Sequence, residues 1–82
     1  MLCEYDLNKI ITFENVSDEY LSECASRMGN PNAKRLYCVT VRVSGLNALW
    51  AVYLNQSDAI NECMFLQHHT SCSIFVAERN NL

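Results

Sequence analysis

The strongest constraint on the fold is the segment of residues 35–54, where apolar side chains alternate with others on both sides of a glycine. Such alternation, rich in β-branched residues, is typical of β-strands. Gly45 stands first in the two-residue loop Gly45-Leu46, which favours a type II′ hairpin turn. This turn predicts the cross-strand pairs Val43 with Ala48, Val41 with Trp50, Val39 with Val52 and Tyr37 with Leu54. Every pair is apolar, so the turn and the alternation agree on one register.

Two segments with the helical period flank this hairpin. The first helix is predicted to begin after Ser17, a favoured N-cap residue, and to end at Gly29 and Pro31. Its apolar stripe is Tyr20, Leu21, Cys24, Ala25 and Met28. The second helix is predicted to begin at Asn55 or Ser57 and to end near His69. Its apolar stripe is Ala59, Ile60, Cys63, Met64 and Gln67, with Leu66 beside them.

Two outer strands complete the predicted fold, at residues 9–15 (KIITFEN) and 71–80 (SCSIFVAERN). The order β-α-β-β-α-β predicts an α+β, ferredoxin-like fold, in which two helices pack on one face of a four-stranded antiparallel sheet. At this length, residues 1–82 are expected to form a single domain. Residues 1–8 could extend the first strand, form a short hairpin or be loose, and residues 79–82 could be a loose end.

The second face of this sheet, which neither helix covers in that fold, is unusually apolar. A solvated face should carry polar residues at alternate positions. The predicted hairpin register instead gives it Leu36, Cys38, Thr40 and Arg42, opposite Leu49, Ala51 and Tyr53, and the last strand adds either Phe75 or the pair Ile74 and Val76. The predicted partner-binding residues are Leu36, Cys38, Arg42, Leu49, Ala51, Tyr53 and Phe75. An apolar patch with aromatic residues, bordered by an arginine, is typical of a protein-binding surface. The alternative is that residues 1–8 or the C-terminal tail fold over this face.

These features favour a small non-enzymatic module or inhibitor that binds another protein, or a second copy of itself, through the open face. Phages and other mobile elements make inhibitors of this size against host machinery. This analogy rests on the general kind of protein, and no residue of the chain supports it directly. No residue pattern predicts a cofactor, and no metal ligands are assigned. Homomeric and heteromeric association are both left open by the sequence.

An alternative function is the binding of single-stranded nucleic acid through the same sheet face. The net charge of -3 and the pI near 5.1 disfavour attraction to a phosphate backbone. The run NALWAVYL, residues 47–54, lacks the basic residue and the glycine that open the RNA-binding consensus, and Tyr53 is its one clear stacking residue. Protein binding is therefore the preferred prediction.

A third alternative is a metal or thiol site around Cys63, His69 and Cys72. Structural zinc sites need four ligands, usually in short pairs such as C-x2-C, and the chain contains no C-x2-C. A thiol nucleophile needs a base and oxyanion donors, and no glycine-rich turn supplies such donors. His68 and His69 fit the last turn of the second helix, where donors to terminal carbonyls are favourable.

The segment MLCEYDLNK at the start of the sequence lacks the basic and apolar regions of a secretory signal. No stretch approaches the ~20 apolar residues of a membrane span. The five cysteines are odd in number, which is unlike a disulfide framework. We therefore expect a cytoplasmic protein without a membrane segment, whose cysteines are mostly small buried hydrophobic residues.

Overall fold

A computed structural model describes residues 15–79 of the chain. These residues form five elements in the order α1 (Asp18–Arg27), β1 (Arg35–Val43), β2 (Leu46–Tyr53), α2 (Gln56–Leu66) and β3 (Cys72–Glu78). The strands make one antiparallel sheet in the order β2-β1-β3, so the fold is α+β. Neither helix of this part of the chain is long and apolar enough to cross a membrane.

The predicted order α-β-β-α-β is confirmed over residues 15–79, but the four-stranded ferredoxin-like fold is wrong. In the predicted ferredoxin-like sheet, the last strand would pair with the strand at residues 9–15 and not with the first strand of the hairpin. Here β3 pairs with β1, from Arg35 opposite Glu78 to Val41 opposite Cys72. β1 is therefore the central strand, with β2 and β3 on its two sides. The strand predicted at residues 9–15 lies outside the described residues, apart from Asn15.

Helix α1 begins and ends where its sequence predicts. The Oγ atom of Ser17 accepts a hydrogen bond of 3.1 Å from the backbone N–H of Tyr20, as an N-cap residue does. At the other end Gly29 has a φ of 82°, and the N–H of Asn30 donates to the carbonyl of Ala25 at 2.9 Å. Glycine adopts that left-handed conformation without a steric penalty, so it closes the helix.

The hairpin between β1 and β2 differs from the predicted one by its loop. The loop is Ser44-Gly45, with φ values of 50° and 80°, and Val43 pairs directly with Leu46. Two positive φ values are the requirement of a type I′ turn, which fits the twist of the strands. The predicted loop Gly45-Leu46 is therefore wrong, and so is the register that followed from it.

A β-bulge at Trp50 changes the register a second time. Thr40 pairs with Leu49 whereas Val39 pairs with Ala51, which leaves Trp50 as an extra residue in β2. Because successive side chains of a strand point to opposite faces, one extra residue moves the following side chains to the other face. Val52 consequently lies on the face opposite to that predicted from an unbroken strand.

The two helices cover opposite faces of the sheet, so the predicted arrangement with both on one face is wrong. α1 packs on the face that carries Leu36, Cys38, Leu49 and Val52. α2 packs on the face that carries Val39, Val41, Ala48 and Ala51. The central strand is apolar on both of its faces, and a strand of that kind needs a cover on each. One helix covers each face of β1.

Arg79, directly after β3, forms hydrogen bonds with α1 and with the loop that follows α1. Its guanidinium donates to the carbonyl of Ala33 at 3.0 Å, to that of Pro31 at 3.3 Å and to the Oγ of Ser22 at 3.1 Å. Its backbone N–H donates to the carbonyl of Lys34 at 2.7 Å. Position 79, predicted to begin a loose end, is thus part of the folded domain.

Candidate functional site

The residues predicted to form an open sheet surface are mostly interior. Leu36 and Cys38 are fully buried, and Leu49 and Ala51 retain 2% of their exposure. α1 covers the first three of these residues, and α2 covers Ala51. A partner cannot contact these four side chains without opening the domain.

The other three predicted residues are partly or fully exposed, but Tyr53 lies on the sheet face opposite to that of Arg42 and Phe75. Arg42 lies near the hairpin loop, where its guanidinium donates to the Oδ1 of Asn47 at 3.2 Å. Tyr53 and Phe75 are half-buried on opposite faces, since Tyr53 pairs with Tyr37 and Phe75 pairs with Cys38. The bulge at Trp50 separates Tyr53 from the other two residues, because it turns the following side chains of β2 to the other face. The predicted grouping requires a β2 without this bulge.

A more continuous apolar surface lies on the outward side of α2. Its members are Ile60, Met64 and Phe65, with exposed fractions of 41%, 59% and 62%. We call these three residues the α2 surface. A helix packed on a sheet usually carries polar residues on its outer side. Three large exposed apolar side chains within two helical turns are therefore unusual, and adaptable Met and aromatic residues are common at binding surfaces.

The sequence prediction placed Ile60 and Met64 inward and did not single out Phe65. The structure instead turns Ala59, Cys63 and Leu66 to the sheet. The small number of charged residues in α2 could have shown that both sides of this helix are apolar. Its sequence, QSDAINECMFL, contains only two charged residues, Asp58 and Glu62.

Those two carboxylates line one flank of the α2 surface. Asp58, Glu62 and Phe65 follow each other at the spacing i, i+4, i+7, which places them in one row along the helix. The Oε2 of Glu62 accepts a hydrogen bond of 3.1 Å from the indole Nε1 of Trp50. Burial, and secondly the negative charge of Glu62, raise the pKa of the neighbouring Tyr53 phenol. This flank is therefore acidic.

The segment that joins α2 to β3 brings two cysteines together. The Sγ atoms of Cys63 and Cys72 are 2.6 Å apart, and both residues are free thiols. The Cys72 thiol also donates to the backbone carbonyl of Cys63 at 3.0 Å, and the amide of Gln67 donates to the Cys63 sulfur at 3.8 Å. Burial and the contact with Cys63 raise the pKa of Cys72 to about 11.

The two histidines lie in the turn that follows α2, because the helix ends at Leu66 rather than near His69. The N–H of His69 donates to the carbonyl of Leu66 at 2.9 Å. The His69 ring and the Phe65 ring make an edge-to-face contact, with 6.1 Å between the ring centroids. Within residues 15–79 no three His, Cys, Asp or Glu side chains are placed to hold a metal ion, so Cys63, His69 and Cys72 do not form such a cluster.

An open cavity of about 460 Å³ lies at the end of the sheet away from the hairpin. Its lining residues are Lys34, Arg35, Tyr37, Leu54 and Glu78. Arg35 and Glu78 form a cross-strand ion pair at 3.1 Å, with more than half of each side chain exposed. Such exposed pairs contribute little energy, and here the pair joins the ends of β1 and β3.

Comparisons of this chain with protein-family models, curated proteins and solved structures find no match. Its function is therefore inferred from its own residues and their geometry.

Proposed function

We propose that this protein is a small non-enzymatic module that binds another protein through the α2 surface. The observation that supports the proposal is the exposure of Met64 and Phe65, at 59% and 62%, on a helix whose other side is part of the core. Full burial of a side chain of this kind contributes about 1.5–3 kcal/mol. In the free protein more than half of each side chain is still exposed, so association can supply the remaining part of this contribution.

The expected mode of binding is a helix that lies in a groove of its partner. In that mode the apolar residues of one helix side act as anchors, at spacings such as i and i+4. Ile60 and Met64 have this spacing, and Phe65 adds an aromatic anchor beside them. The core holds the other side of α2 through Ala59 and Leu66, so the anchors are presented on a helix that is already formed. Less ordering entropy is lost on binding when the surface is formed beforehand.

The charges of α2 favour a different protein as the partner over a second copy of this chain. Asp58 and Glu62 are acidic, and α2 contains no lysine or arginine. Two copies that met through α2 would bring like charges together, which is unfavourable. A partner with an apolar groove and a basic rim would match both features of the helix. The proposed complex is therefore heteromeric.

The test compares proteins captured from lysate by three matched baits. The first is the unsubstituted protein and the second is Phe65→Ser, which shortens an exposed side chain and leaves the core untouched. The third is Leu46→Ser, which makes the same kind of change at the hairpin, where Leu46 is 53% exposed. A partner that binds through α2 should be retained by Leu46→Ser and lost, or weakened at least about tenfold, with Phe65→Ser.

Native mass spectrometry of the purified protein provides the second readout. We expect a monomer, because the proposed partner is a different protein. Capture that is insensitive to Phe65→Ser and lost with Leu46→Ser would assign binding to the hairpin instead of α2. A dimer that Phe65→Ser dissociates would keep the surface but reject the heteromeric partner.

A further inference from the structure

The contact between Cys63 and Cys72 is closer than the packing of two thiols requires. Their sulfur atoms are 2.6 Å apart, whereas a covalent S–S bond measures roughly 2.05 Å. The residues are nine positions apart in sequence and belong to different elements, the last turn of α2 and the first residue of β3. The fold itself therefore brings two free thiols almost to bonding distance.

We propose that Cys63 and Cys72 are a redox-modification site, at which a low-molecular-weight disulfide such as oxidised glutathione converts the two thiols into an intramolecular disulfide. Neither residue of this pair is enclosed as Cys38 is, since Cys38 is fully buried in the centre of the sheet. Cys72 is half-buried at the edge of the domain, where a small molecule can reach its sulfur. Cys63, behind it, is 7% exposed.

The reaction proceeds in two exchange steps. The Cys72 sulfur, as the thiolate, attacks one sulfur of the small disulfide and forms a mixed disulfide, and the first small thiol leaves with the proton that Cys72 lost. The Cys63 thiolate then attacks the Cys72 sulfur and displaces the second small thiol, which takes the proton of Cys63. The protein loses two hydrogen atoms and the small disulfide is reduced to two thiols, so atoms and electrons balance.

The product links α2 to β3 across the exposed turn that contains His68 and His69. A cross-link of this kind restricts the unfolded chain more than the folded one, which already holds its two ends together. Oxidation should therefore raise the midpoint of thermal unfolding, by about 5 °C or more for a domain of this size. This expectation is independent of the proposed partner binding, because it concerns the isolated protein.

The experiment equilibrates the purified protein in buffers with increasing ratios of oxidised to reduced glutathione. After an acid quench, free thiols are alkylated and peptides are mapped by mass spectrometry. We expect a cross-link between the peptides of Cys63 and Cys72, without a stable glutathione adduct, while Cys38 is alkylated after unfolding. In Cys63→Ser the second exchange step is blocked, so glutathione should accumulate on Cys72.

The Cys38→Ala variant is the matched control, because it removes a cysteine that the proposal does not use. Its Cys63–Cys72 cross-link should form at the same glutathione ratio as in the unsubstituted protein. Absence of the cross-link at every ratio would overturn the proposal. So would a stable glutathione adduct on Cys72 of the unsubstituted protein, or a cross-link from Cys72 to Cys38. Because the unsubstituted protein gives a decisive map by itself, the result holds even if Cys63→Ser does not fold.

Discussion

The indole nitrogen of Trp50 donates a hydrogen bond of 3.1 Å to the Oε2 of Glu62, and this bond joins the bulge of β2 to α2. Trp50 is the extra residue of the bulge and packs against the cluster beneath α2. The bulge therefore does more than shift the register of β2. It directs the one tryptophan of the chain to a carboxylate that lies beside the α2 surface.

The first prediction concerns this bond. Glu62→Ala should lower the free energy of unfolding by about 2 kcal/mol, because it leaves a half-buried indole N–H without its charged acceptor. Urea unfolding followed by Trp50 fluorescence measures the effect. Glu62→Gln is the control, since its amide oxygen can still accept the bond and the loss should be smaller. Equal stability of Glu62→Ala and the unsubstituted protein would show that the bond contributes nothing.

The Glu62→Gln variant also gives a spectroscopic check. The negative charge of Glu62 is one of the causes, after burial, that raise the pKa of Tyr53. Removing that charge in Glu62→Gln should therefore move the Tyr53 titration to lower pH. The difference between the ultraviolet titrations of Glu62→Gln and of Glu62→Gln combined with Tyr53→Phe isolates this phenol.

The second prediction concerns the hairpin loop. Ser44 has a φ of 50°, a conformation that asparagine tolerates better than serine does. Ser44→Asn should therefore stabilise the protein by about 0.5 kcal/mol. Gly45→Ala should destabilise it by about 1 kcal/mol. A Cβ at position 45 meets no atom within 4 Å, so the loss comes from its φ of 80° and not from a clash. Thermal unfolding of both variants measures these changes. If the loop were Gly45-Leu46 instead, Ser44→Asn should not increase the stability.

The third prediction concerns alkaline pH. Burial raises the pKa of the Cys38 thiol from 9.0 to about 11. The folded state therefore holds this proton more tightly than the unfolded state, and the stabilisation is complete below pH 9. It is lost as the pH rises through the interval from 9 to about 11, by about 3 kcal/mol at most.

The measurement compares denaturant unfolding of the unsubstituted protein and of Cys38→Ala across that interval. The variant lacks the buried thiol, so its stability should fall less steeply with pH. Cys72, whose pKa is also raised to about 11, leaves a remaining slope in both proteins. Parallel curves for the two proteins would contradict the assignment to Cys38.

The local elements of this domain are largely predictable from sequence. α1 starts after Ser17 and ends before Gly29 because the cap and the terminating glycine act within a few residues of the chain. The strands β1, β2 and β3 follow alternation that is equally local. The part of the predicted order that falls on residues 15–79 was therefore correct.

The sequence did not predict which surface would be exposed. Two local features, the Ser44-Gly45 loop and the bulge at Trp50, change the register of β2, and only the complete sheet selects them. Both faces of β1 are apolar, which the sequence indicated, but the alternation of its residues does not say what covers them. α1 covers one face and α2 the other, and the predicted sheet surface becomes interior as a result.

Local sequence patterns predict the helices, the strands and an apolar content too large for one sheet face to bury. The packing of the elements determines that Ile60, Met64 and Phe65 are exposed together on α2, and that Cys63 contacts Cys72. This division follows from the range over which the interactions act. Caps, turns and periodicity act between residues close in sequence, whereas the choice of face and the approach of two sulfur atoms depend on how whole elements pack.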